Sequence, residues 1–247
     1  MTGAALPEAL RQGPAFRWPD ALRWAAVFGT TGAALPDLAL RRPGPALHRW
    51  ARRMQRRLRL RVELVGAPRL DAPLWVANHL SWVDPVVFLA LRPMGTLAKG
   101  EVAGYPLVGR WARKGGLRFV DRVSPRSRAA ALAAFAGDLR AGRPMLLFPE
   151  GTTTRGRLAP FHGGGLLAAW RLGIPAQPLR LETAADHYPW TGDETLLPHL
   201  GVLLRQPVTE LRLHAGPLLD PRDFPDPADW IATFRHHLSS DDPADRA

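Results

Sequence analysis

Between Leu58 and His214 the chain alternates seven short apolar runs with stretches of helical composition, and this rhythm constrains the fold more than any other feature. The runs are LRLRVELVG, PLWVANH, GTLAK, GLRFV, PMLLFPEG, IPAQPLRL and VTELRLH. Short apolar runs bounded by glycine, proline or charge read as strands, and strands separated by helices read as an α/β domain.

Helix signals fill the gaps. Ser124 is a good N-cap, Pro125 suits a first helical position, and the alanine-rich body that follows runs to Gly142, a natural terminator. A second helix is expected near residues 163–171. A last one spans about residues 227–238, where Trp230, Phe234 and Leu238 keep four-residue spacing. The tail SSDDPADRA has no periodicity. Three regions are therefore expected: residues 1–45 as a membrane-associating helical region, 46–238 as the main domain, and 239–247 as a flexible tail.

The chain carries 33 Lys and Arg against 22 Asp and Glu, a formal charge of +11, and only Lys99 and Lys114 are lysines. Nine arginines and no acid lie within residues 41–61. Leu47, Trp50, Ala51, Met54 and Leu58 recur there at three- and four-residue spacing, with Arg49, Arg52, Arg53, Arg56 and Arg57 between them. This is a basic amphipathic helix. It either lies in a headgroup layer with its apolar stripe in lipid, or packs that stripe on the domain and leaves the arginines solvated. Upstream, the longest charge-free stretch is WAAVFGTTGAALP, short of the roughly 20 apolar residues a spanning helix needs. Glu8, Asp20 and three prolines within the first twenty residues argue against a secretory signal. The expected location is the cytoplasmic side of a membrane. With no cysteine there is no disulfide scaffold, thiolate nucleophile or sulfur-based zinc site.

Three segments can carry chemistry. In VANHLSWVDP, Asn78 and His79 end a strand and Asp84 follows His79 by five positions. A carboxylate on one ring nitrogen fixes the tautomer and raises the basicity of the other, as a general base for a hydroxyl requires. By itself such a pair is more often structural. In PMLLFPEGTTT, a strand runs into Glu150, Gly151 and Thr152, where free N–H groups and hydroxyls can hold phosphate oxygens; the plain alternative is an ordinary turn with a solvated Glu150. In GLRFVDR, Gly116 and Phe119 shape a strand end and Arg122 follows it, a guanidinium able to clamp a phosphate or carboxylate in two-pronged fashion.

Taken in order, NHxxxxD, GxxFxxR and FPEGT resemble the glycerolipid (lysophospholipid) acyltransferases, across roughly residues 60–219, with an apolar block at Ile174 and Pro175 like that of the family. The resemblance implies a mixed central sheet flanked by helices. It makes His79 the general base and Asp84 its orienting partner, gives the acceptor phosphate to Arg122, and lines the same acceptor site with Glu150, Gly151 and Thr152. Gly116 and Phe119 belong to the second motif, and Lys99 and Glu101 shape the loop before it. The implied reaction moves an acyl chain from acyl-CoA or acyl-ACP to the sn-2 hydroxyl of 1-acyl-sn-glycerol-3-phosphate, giving phosphatidic acid. It needs no cofactor beyond that co-substrate and no metal, on the cytoplasmic face of the cell inner membrane. No Ser or Cys is placed for a covalent intermediate.

Two departures bear on the acceptor. The third motif often continues with an arginine and a serine, but here Thr153 and Thr154 follow and charge arrives at Arg155; His162 stands where many relatives carry a basic residue. FPEGTT together with WTGDETLLPHL resembles a bacterial branch that includes lyso-ornithine lipid acyltransferases, so that acceptor stays open.

Other readings fare worse. HGGG at residues 162–165 resembles the oxyanion loop of lipases, yet no G-x-S-x-G accompanies it, and H-E-x-x-H is absent. A basic nucleic-acid-binding module is the non-enzymatic alternative. Most of the nine tryptophans, however, sit inside apolar stretches rather than on a stacking platform, so no nucleic-acid partner is expected.

Overall fold

The computed structural model describes residues 18–39, 43–99, 117–120, 124–192 and 194–239. Two helices, α1 (Trp18–Ala39) and α2 (Pro43–Arg57), precede β1 (Leu60–Val65) and β2 (Leu74–Ala77). Then come α3 (Asp84–Leu89), β3 (Gly95–Lys99), β4 (Leu117–Val120), α4 (Pro125–Arg140), β5 (Met145–Leu147) and α5 (Gly164–Arg171). The chain continues through β6 (Ala176–Glu182), α6 (Leu196–Arg205) and β7 (Thr209–Ala215) to α7 (Pro227–Leu238). All seven expected strands are present.

Among the described residues the strands form one sheet in the order β1-β7-β6-β2-β5-β3-β4. Neighbours are parallel except β6 and β7, which pair antiparallel from Leu179↔Ala215 to Glu182↔Arg212. The sheet is therefore mixed. Parallelism of β2, β5, β3 and β4 brings their carboxyl ends to one edge, the position where open α/β sheets hold ligands.

The pleat divides the core. Trp75, Ala77, Leu146, Leu179 and Leu181 face α1, α2, α3 and α6, whereas Leu74, Val76, Met145, Leu147 and Ala176 face α4, α5 and α7. Helices on both faces explain why β2 is buried along its whole length instead of alternating. Trp230 and Phe234 of α7, fully buried, close the second layer at the expected four-residue spacing. Strand β4 is tied to α4 by Arg118, whose Nε and Nη2 donate to the two oxygens of Asp138 at 2.7 and 2.8 Å.

Local signals worked as the sequence implies. Ser124 Oγ accepts from the Ser127 N–H at 3.2 Å, and α4 stops before Gly142, whose φ is +66°. Helix α6 is the element that sequence signals do not announce, because Pro198 and Gly201 interrupt it. Gly201 lies against Trp24 of α1, and Arg23 Nη1 donates to the Leu204 carbonyl at 2.8 Å.

Of the two ways to use the amphipathic stripe, the structure takes the inward one. Ala46, Leu47, Ala51, Met54 and Leu58 are buried in the core layer beneath α2, while Arg49, Arg52, Arg53, Arg56 and Arg57 are exposed. The expected boundary between residues 45 and 46 falls inside α2, and Val27 and Ala34 of α1 join the same core cluster. The expected tail at 239–247, apart from Ser239, lies outside the described residues. Each large apolar side chain buried this way contributes about 1.5–3 kcal/mol. Leu58→Ala is therefore expected to cost about 2–5 kcal/mol in urea unfolding, and Arg52→Ala to stay within about 0.5 kcal/mol. Equal stability of the two variants would contradict the inward packing.

Candidate active site

Strand β2 leaves the sheet at Asn78, a buried amide that takes over the backbone's role. Its Nδ2 donates to the Leu181 carbonyl at 2.8 Å and its Oδ1 accepts from the Leu181 N–H at 2.7 Å. The next residue, His79, is thereby delivered to the carboxyl edge with its ring outside the sheet.

The chain then turns through Leu80–Val83 into α3, whose first residue is Asp84, with no exposed surface. Asp84 Oδ2 accepts from the Leu80 N–H at 2.6 Å and the Ser81 N–H at 2.8 Å, and lies 2.7 Å from His79 Nδ1. Oδ1 accepts from the Tyr188 hydroxyl at 2.8 Å. A carboxylate oxygen that already takes two backbone N–H donors meets the ring as an acceptor, which puts the imidazole proton on Nδ1. Nε2 is left bare, with no hydrogen-bond partner among the described residues, on a side chain that is 16% exposed. Phe148 stacks under the ring at 4.1 Å between centroids and fixes its plane.

The third segment closes on the same residue. Glu150 Oε1 accepts from the His79 N–H at 2.8 Å, and Oε2 accepts from the Ala159 N–H at 2.8 Å and Thr154 Oγ1 at 3.3 Å. The Thr154 N–H donates to the His79 carbonyl at 2.8 Å. Both backbone groups of His79 are thus held by the loop after β5. Glu150 is 1% exposed and spends its oxygens on this scaffold; burial pushes its carboxyl above the ordinary range, while the hydrogen bonds it accepts pull the other way. Gly151 has φ +62°, and a Cβ there would sit 2.7 Å from His162 Cδ2, so only glycine fits between the turn and that ring. Thr152 is exposed beside it.

The second segment is described only in part. Phe119 lies in β4 opposite Ala98, and Lys99 pairs with Val120 at the same sheet edge as His79. Gly116, Arg122 and Glu101 lie outside the described residues. The HGGG segment is a packing device: a Cβ on Gly165 would meet Leu147 Cδ2 at 2.8 Å, so the glycine lets α5 lie on β5.

Similarity to known proteins follows the geometry. A family model described as Acyltransferase matches residues 61–182. A lyso-ornithine lipid O-acyltransferase of Rhodobacter capsulatus is 33% identical over 189 residues, 71% of this chain and 67% of that protein. The chain belongs to the acyltransferase family. A lyso-ornithine lipid O-acyltransferase of Pseudomonas aeruginosa is 40% identical over 162 residues, 63% of this chain and 62% of that protein, so the match spans a little under two thirds of that relative's length. A 1-acyl-sn-glycerol-3-phosphate acyltransferase of Neisseria meningitidis is 32% identical over 138 residues, 54% of this chain and 52% of that protein. The crystal structure of the 1-acyl-sn-glycerophosphate acyltransferase of Thermotoga maritima shares the fold, with a TM-score of 0.65, 21% identity and 87% of each chain covered.

Sequence reasoning picked out His79, Asp84 and Glu150 but missed Asn78 as a strand bridge, Phe148 as a ring support, and Tyr188. The first two adjoin motif residues; Tyr188, 104 positions from Asp84, gives no local signal. Glu150→Gln places an amide NH2 against an N–H donor whichever way it turns. This is expected to cost about 1–3 kcal/mol in thermal unfolding, the usual penalty for a mispaired buried group; an unchanged melting temperature would contradict the scaffold assigned to Glu150.

Proposed function

We propose that this chain is an O-acyltransferase that moves an acyl group from a thioester, acyl-CoA or acyl-ACP, to the free hydroxyl of a lysolipid. The observation that carries this is His79, anchored at Nδ1 by Asp84 and left bare at Nε2 at the carboxyl edge of the sheet. Nε2 accepts the hydroxyl proton as the oxygen attacks the thioester carbonyl, and Asp84 stabilises the imidazolium that forms. Collapse of the tetrahedral adduct expels the thiolate, which takes the proton back from Nε2. Arg122 clamps the acceptor's anionic group, and Gly151 and Thr152 line the same side.

We assign lyso-ornithine lipid as the acceptor. Its support is the 40% identity over 162 residues to an enzyme of that name, and the FPEGTT form of the third motif. Lysophosphatidic acid is the second reading, supported by the relatives named for 1-acyl-sn-glycerol-3-phosphate. A guanidinium suits either, since it pairs in two-pronged fashion with an ornithine carboxylate or a phosphate.

The acceptor is a lipid, so the site has to work against a bilayer. Among the described residues no helix is long and apolar enough to cross one. Instead α1 exposes Leu22 (70%) and Phe28 (56%), its neighbour α6 exposes Leu197, and α2 turns its arginines outward. Apolar side chains beside arginines suit the anionic cytoplasmic leaflet of the inner membrane. The same positive charge would speed encounter with an acidic acyl carrier protein.

Purified protein given labelled acyl-ACP or acyl-CoA and a panel of lyso-ornithine lipid, lysophosphatidic acid and other lysophospholipids is expected to label ornithine lipid most rapidly. His79→Ala should lower that rate about 10²–10⁴-fold, and labelling of none of the panel would overturn the reading. Leu22→Ser with Phe28→Ser should weaken sedimentation with anionic vesicles while leaving the fold intact; unchanged binding would remove α1 from the docking face.

A further inference from the structure

The segment after β6, together with His199 of α6, grips the loop that carries the base at every second residue. The Trp190 N–H donates to the Leu80 carbonyl at 2.9 Å, His199 Nδ1 accepts from Trp82 Nε1 at 2.9 Å, and the Tyr188 hydroxyl donates to Asp84 Oδ1 at 2.8 Å. The first two bonds hold backbone and packing. The third reaches the carboxylate that faces the base.

We infer that Tyr188 is a positioning residue for the acyl transfer, a buried phenol that holds the Asp84 carboxylate oriented so that His79 keeps its proton on Nδ1 and presents a bare Nε2. The inference rests on the reading of His79 as the base. Its argument is the division of labour on one carboxylate. Oδ2 takes the donors of its own loop, Leu80 N, Ser81 N and His79 Nδ1, while Oδ1 has the Tyr188 hydroxyl. Tyr188 and Asp84 are both fully buried, so water does not replace that donor if it is lost. An unsatisfied Oδ1 is relieved by rotating the carboxylate away from His79 or by taking up a proton, and either change weakens the hold on the imidazolium.

The phenol is suited to this use. Burial pushes it well above its ordinary value and the Asp84 charge pushes the same way, so it stays a donor across the working pH range. The remaining titratable neighbours are placed differently. Glu150 meets His79 only through the backbone N–H, on the side of the β5 loop. His199, held neutral by burial, approaches the backbone of His187 and Tyr188 and not the carboxylate. The phenol ring has no exposed surface to offer either substrate.

Tyr188→Phe keeps the ring and deletes the donor. Expected is a fall in kcat of about ten-fold, the scale of one hydrogen bond to a charged group, with KM for the lysolipid and the thioester within about two-fold and the acid limb of the kcat profile moved to lower pH, because a less stabilised imidazolium loses its proton more readily. Ring nitrogen NMR of His79 should show the Nδ1–H form in the parent and a growing share of the other tautomer in Tyr188→Phe. Parent-like kcat, pH profile and tautomer in a folded Tyr188→Phe would overturn the inference, as would a loss confined to KM. If the parent acylates none of the lysolipids, the reading of His79 as base fails first, and the tautomer measurement still tests the role of Tyr188. Should Tyr188→Phe not fold, 3-fluorotyrosine in a Tyr105→Phe background retains ring and hydroxyl while strengthening the donor. A shift of kcat from that background's own value supports the inference, and an unchanged one overturns it.

Discussion

Asp84 is a charge with no access to water, and the geometry of the site follows from the need to satisfy it. Two backbone N–H groups, an imidazole and a phenol converge on its two oxygens. A buried carboxylate lacking such partners would cost several kcal/mol, so the loop from His79 to Asp84 has little freedom to take another shape. The turn into α3, the tautomer of His79 and the seat of the β6–α6 segment are one solution to that single requirement.

A second buried carboxylate works by another logic. Glu150 points its oxygens at backbone donors on either side of it, His79 and Ala159, and so ties the end of β2 to the loop after β5. The sheet makes this possible. Because β2 and β5 are adjacent and parallel, with Leu74 opposite Met145 and Val76 opposite Leu147, their carboxyl ends emerge side by side and two motifs some 70 residues apart become neighbours. One carboxylate holds the imidazole of His79 and the other holds its backbone.

The amino-terminal pair of helices shows how one pattern can serve two environments. The apolar stripe of α2 is used up in the core layer it shares with β1, α3 and α1. What remains outside is an arginine face and the exposed apolar residues of α1 and α6.

Much of the architecture was legible in the chain itself. Strand runs, the Ser124 cap, the Gly142 stop and the spacing of Trp230, Phe234 and Leu238 are local signals, carried by backbone propensity and side-chain period, and local physics is enough to read them. The pairing of His79 with Asp84 was also within reach, since five residues around a turn suffice. Burial of Glu150, inward rotation of the α2 stripe, the antiparallel return of β7 beside β6, and the contact of Tyr188 with a carboxylate 104 positions away were decided only by the tertiary structure. Each depends on which strands lie next to one another and which face a crossover covers, and those are settled by closing long loops around a shared core, a cooperative choice that no window of neighbouring residues contains.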